Sequence, residues 1–135
     1  MNYQIVEIEG VGDAYAAKLK EAGIKTVSDL LEKGATDKGR KELADTTGIA
    51  YKLILKWVNH ADLFRINGVG PQFAELLEAS GVDTVKEFRH RKAENLAVKM
   101  QEVNDAKHLT RRVPSVTELQ RMIDQAAQLD PKITY

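Results

Sequence analysis

Apolar residues recur along this chain at helical spacing almost from end to end, and no segment shows the strict alternation of a half-buried strand. Between Asp13 and Ala22, Ala16, Ala17 and Leu19 share one side and Lys18, Lys20 and Glu21 the other. Gly23 then suits the left-handed position that ends a helix. Thr26 with Asp29, and Thr84 with Glu87, read as capping boxes opening short helices, the first closed by Gly34. Thr36 caps a helix predicted to run to about Thr46 and to stop at Gly48. A helix follows from about Ala50 to Asp62, with Leu53, Ile54, Trp57, Val58 and Ala61 inward. Further helices are predicted after Pro71, from about Lys92 to Val103, and from the capping pair Ser115 and Glu118 to about Leu129.

One stretch occurs twice. IEGVGDAYAAKLKEAGIKTV, from Ile8, is answered by INGVGPQFAELLEASGVDTV, from Ile66, at an ungapped offset of 58. Ile54, Trp57, Val58 and Ala61 also match Leu119, Met122, Ile123 and Ala126 at an offset of 65, which implies an insertion near Asn104–Pro114. The expected organisation is two similar helical units, residues 1–62 and 63–129, with a frayed tail over 130–135. Each half lies near the lower size limit for an autonomous core, so the two are expected to pack as one body.

Composition narrows the function. With 20 Lys plus Arg against 20 Asp plus Glu, no global field draws the chain to nucleic acid or to an anionic membrane, so polyanion binding would need local patches. The absence of Cys excludes disulfides and thiolate metal sites and is compatible with a reducing cytoplasm. The stretch MNYQIVEIEG lacks the basic and apolar regions expected of a signal peptide, and no apolar run approaches the roughly 18 residues of a membrane span. The expectation is a soluble cytoplasmic protein with no membrane partner.

An apolar residue, Gly-Val-Gly, and then a helix with Ala at the fourth position and an apolar residue at the seventh resembles the helix-hairpin-helix, a motif of nucleic-acid-handling proteins. The second copy has a leading helix, whereas only about nine residues precede Gly10. KLKEAGIKTVSDLL is also similar to the carboxy-terminal domain of the bacterial RNA polymerase alpha subunit. The chain as a whole, in GRKELADTTGI, KWVNHADLFRINGVG and RRVPSVTEL, resembles a bacterial family known as domain of unknown function 4332. These resemblances imply an all-α fold of two tandem helix-hairpin-helix (SAM-like) units packed as one compact helical body, and the family lends no activity.

In such turns the amides that open the following helix can hold a phosphate oxygen, helped by the helix dipole. Glu7, Glu9 and Asp13 flank the first turn and would repel it. The second carries Arg65, Asn67, Gly68, Val69, Gly70 and Gln72, with Pro71 at a first-turn position where its missing amide costs little. Residues 89–112 add seven basic side chains against three acidic, among them Arg89, Arg91, Lys92, Arg111 and Arg112. The nucleic-acid reading therefore assigns these eleven positions, Arg65, Asn67, Gly68, Val69, Gly70, Gln72, Arg89, Arg91, Lys92, Arg111 and Arg112, to weak binding of DNA or another nucleic acid. No base-reading helix suggests itself. The alternative is a protein-interaction or scaffold module whose turns are purely structural.

Enzymatic readings are weaker. VDTV, which ends the second copy, resembles the catalytic aspartate that follows the hairpin of helix-hairpin-helix glycosylases, but Asp83 lies only 15 positions beyond Gly68, the second turn lacks a nucleophilic Lys, the chain is too small for a base-flipping pocket, and Asp83-Thr84 reads better as a helix start. His60, His90 and His108 stand apart, without metal-ligand or relay spacing. Neither Gly-Val-Gly continues into a dinucleotide or phosphate-loop signature. Trp57 reads as a core or inter-unit residue. No catalytic residue, metal or cofactor is expected.

Overall fold

The computed structural model describes residues 3–135, and within them the protein is all-α. The chain divides into two units: one runs to Asp62 and takes in Lys132–Tyr135, and the other is Leu63–Pro131.

The first unit opens on a 3-10 turn, Ile5–Glu7, followed by α1 (Asp13–Glu21), α2 (Val27–Gly34), α3 (Asp37–Thr47) and most of α4 (Tyr51–Leu63). No strand forms among the described residues, and an isolated antiparallel bridge joins Gln4 to Thr26. The Ile5 amide donates to the Lys25 carbonyl (3.2 Å) and the Val27 amide to that of Tyr3 (2.8 Å). In α2 the Thr26–Asp29 box closes both ways, because the Thr26 hydroxyl accepts from the Asp29 amide while the Asp29 carboxylate accepts from the amide of Thr26. The amides of Lys25 and Thr26 hold the Asp29 carboxyl below its ordinary range. Gly48, in the left-handed region at φ 73°, ends α3 as expected. Trp57 is buried and meets Tyr15 edge-on, ring centroids 5.1 Å apart, which agrees with a core role; Leu53 is only partly covered.

Two glycines of this unit serve space rather than flexibility. A Cβ on Gly34 would lie 2.5 Å from Val58 Cγ2, and one on Gly39 would lie 2.0 Å from the Lys33 carbonyl oxygen. Gly34, expected only to stop α2, lets α4 approach its last turn.

In the second unit, α5 (Pro71–Ala79) packs on α7 (Ala93–Lys107), which packs on α8 (Val116–Gln128), and the short α6 (Val85–Phe88) also meets α8. The Thr84 hydroxyl accepts from the Glu87 amide, but Glu87 turns its carboxylate to Arg91, so this cap is one-sided. The α7 helix runs a turn beyond the expected end at Val103. Buried Asn104 explains the extension: its side-chain amide donates to the Thr110 carbonyl (3.0 Å) and its oxygen accepts from the Thr110 amide (2.9 Å), folding the connector onto the helix end. His108 ends α7 in the left-handed region, at φ 53°.

The last residues differ from the sequence expectation. Residues 132–135 dock on the first unit instead of fraying: Ile133 is buried, the Thr134 amide donates to the Ala35 carbonyl (2.8 Å), and the Thr134 carbonyl accepts from Arg40. Burying an isoleucine and satisfying both backbone groups of its neighbour offsets the chain entropy lost on ordering.

Candidate nucleic-acid interface

The twin stretches fold alike in backbone. In one, the Val11 amide donates to the Ile8 carbonyl (3.0 Å), Gly10 sits at φ 90°, and Gly12 is an extended N-cap for α1. In the other, the Val69 amide donates to the Ile66 carbonyl (3.1 Å), Gly68 sits at φ 92°, and Gly70 is the extended N-cap of α5. Both central valines and both leading isoleucines are buried. A left-handed residue is needed at Gly10 and Gly68 to reverse the chain, and glycine adopts it without a Cβ penalty.

Chemistry separates the two turns. Asp13 opens α1, with Glu9 exposed just before it, so carboxylates stand where an anion would approach. Pro71 opens α5, and no acidic residue lies in its first turn. Neither Gly12 nor Gly70 can offer a side-chain cap. Among the described residues no hydrogen bond takes up the amides of Gly70, Gln72 and Phe73, and Gln72 is exposed. These donors open a helix whose first turn carries no carboxylate, with the helix dipole behind them.

Other sequence-predicted residues are partly engaged. The Asn67 amide donates to Gln125 Oε1 on α8 (3.0 Å), and the Val69 amide is spent inside the turn. Arg65 donates through Nη2 to the Asp130 carbonyl (2.8 Å). Arg91 pairs with Glu87 (2.9 Å) and donates to the Gly81 carbonyl (2.5 Å). Arg112 makes a two-pronged pair with Glu118, 2.9 Å on each side. Two of the seven cations counted in 89–112 thus carry a local counter-charge, which the sequence does not reveal because both carboxylates lie outside that window. Arg89, Lys92 and Arg111 form no ion pair among the described residues, and the latter two are exposed.

An open groove of about 810 Å³ is lined by Arg91, Lys92 and Asn95 at the start of α7 and by Gln120, Arg121 and Asp124 of α8. A smaller one of about 280 Å³ lies between His90, Arg91, Lys92, Asn95 and Lys99 and has no acidic wall.

At the start of α8, Glu118 caps by accepting from the Ser115 amide (3.2 Å) while Ser115 Oγ accepts from the Glu118 amide (3.1 Å). Arg112 first, and then the Ser115 amide, lower the Glu118 pKa from 4.5 to about 2. A depressed carboxyl contributes its stabilisation above the unfolded value of 4.5, and that contribution is lost as pH falls through about 2. A carboxyl-carbon pH titration by NMR should therefore show Glu118 still ionised at pH 3.5, and a midpoint near 4.5 would contradict the pair.

The sequence over residues 9–129 matches the family described as a domain of unknown function (DUF4332), and the chain belongs to that family. No curated protein and no solved structure matches it. No helix among the described residues is long and apolar enough to cross a membrane.

Proposed function

We propose that this chain is a non-enzymatic module of two helix-hairpin-helix units that binds nucleic acid, DNA in particular, weakly and without sequence preference. The observation that carries the reading is the set of unused amides at Gly70, Gln72 and Phe73, at the one of the two twin turns that lacks carboxylates. Backbone amides at a helix start hold phosphate oxygens regardless of base. Arg89, Lys92 and Arg111 supply further charge from the same unit. With about three phosphates engaged, the log–log dependence of affinity on salt should have a slope near −3.

A second reading, a protein-interaction or scaffold module, draws support from the counter-charged state of Arg91 and Arg112 and from the balanced total charge. Charge reversal distinguishes the two. Arg65, Arg91 and Arg112 hold structural bonds, so the informative set is Arg89→Glu, Lys92→Glu and Arg111→Glu combined. Fluorescence anisotropy with labelled duplex at low salt should show binding weakened at least about tenfold, with the salt slope reduced toward zero. Unchanged affinity in the folded triple variant would sink the nucleic-acid reading.

A further inference from the structure

Arg40 is fully buried, an unusual place for a cation that carries no share in any turn discussed above. Four of its five N–H groups are used. Nε donates to the Tyr51 hydroxyl (3.0 Å), Nη1 to the carbonyls of Gly34 (2.8 Å) and Ala35 (3.1 Å), and Nη2 to the carbonyl of Thr134 (2.5 Å). The Tyr51 hydroxyl donates onward to Asp37, which also pairs with Lys41 at 2.9 Å. The guanidinium carbon lies 5.9 Å from the centre of the Tyr51 ring and 5.5 Å from that of Tyr135.

Three of these partners, Gly34, Ala35 and Tyr51, come from the α2–α3 corner and the start of α4. The fourth comes from a strip outside any helix, Ile133–Tyr135, whose Thr134 lies 94 residues from Arg40 in sequence. That strip is read through its backbone at Thr134, on both the N–H and the C=O side, through one apolar side chain at Ile133 and through one ring at Tyr135. Tyr135 itself is exposed on its outer side, with its hydroxyl 3.4 Å from Asn59 Oδ1. Main-chain pairing with one side-chain pocket and one aromatic contact is how proteins capture extended peptides.

We propose that the first unit carries a peptide-binding seat, centred on Arg40 and the Ala35 carbonyl, which takes an extended segment of the form apolar–any–aromatic and is filled in cis by Ile133–Tyr135. The segment is a separable ligand, held by its tether at a high local concentration. The proposal rests on the Arg40 cluster alone and is independent of the nucleic-acid reading.

The test uses the full-length chain carrying Thr134→Pro, which removes the amide that donates to Ala35, and in parallel Ile133→Asp, which disfavours burial of the strip. The probe is an amidated peptide of residues 129–135, added to about 5 mM, the range that a short tether supplies. The readout is the Arg40 Nε–H resonance and its hydrogen-exchange rate. Each variant should stay folded with Arg40 Nε–H exchange at least about tenfold faster. The wild-type peptide should restore the protected signal, and a peptide with the Thr→Pro change should not. Folded variants that the peptide leaves unchanged would overturn the proposal. Unfolding of both variants would overturn it equally, because the strip would then be an inseparable part of the core.

Discussion

Replacing Arg40 with alanine is expected to destabilise the first unit by about 3–5 kcal/mol, the cost of breaking a buried charged group with four of its five N–H donors engaged. The loss would come less from removing charge than from what stays behind. The carbonyls of Gly34, Ala35 and Thr134 and the Tyr51 hydroxyl would each lose a donor, and the Gly34 carbonyl would lose it at a buried position. Arg40→Lys should recover only part of the loss, since three donors on one nitrogen cannot meet acceptors arranged around a planar fork. Tyr51→Phe removes one link and should cost about 1–2 kcal/mol. Urea unfolding followed by amide exchange within residues 3–62 measures all three. An Arg40→Ala loss below about 1 kcal/mol would show that the cluster is not the anchor described here.

Gly39→Ala should be the most damaging single methyl in the protein, at about 3 kcal/mol or more, the upper range for overpacking. Helix propensity argues the opposite sign, a gain of up to about 1 kcal/mol for replacing glycine in α3. Geometry decides the matter. The new Cβ would sit 2.0 Å from the Lys33 carbonyl oxygen and 3.2 Å from both the carbonyl carbon and Thr36 Oγ1, the atom that caps α3 through the Gly39 amide. Neither backbone nor cap can retreat without opening the α2–α3 corner, where Arg40 finds two of its acceptors. Gly48→Ala is the matched control: its Cβ would meet nothing within 4 Å, so only the φ of 73° opposes it, at about 1 kcal/mol. Thermal melts of the pair separate crowding from backbone conformation, and equal losses would contradict the crowding argument.

The helix starts were legible because caps are local. Thr26, Thr36, Thr84 and Ser115 lie three residues before the amides they accept from, and Gly48 stands where a left-handed residue ends α3. The twin turns were legible for the same reason, since the glycines, the buried valine and the following helix lie within one short stretch. What the sequence did not reveal depends on partners far along the chain. Arg40 lies in the helix predicted after Thr36 with nothing local to mark it as buried, and its Thr134 partner is 94 positions away. DPKITY reads as a frayed tail, and nothing local shows that Ile133 becomes buried or that the Thr134 amide reaches the Ala35 carbonyl. In the candidate interface, sequence distinguished the acidic first turn from the neutral second. It could not show that Asn67 and Arg65 are tied to Gln125 and Asp130, or that Arg112 is paired with a carboxylate that also caps α8.

Phosphate binding at the second turn is tested most directly by following backbone amide shifts while duplex DNA is added at low and then moderate salt. Shifts that salt suppresses are expected at Gly70, Gln72 and Phe73, with the matching amides after Gly12 unmoved because Asp13 and Glu9 guard them. No shift at Gly70–Phe73 with high micromolar DNA and low salt, or equal shifts at both turns, would contradict it.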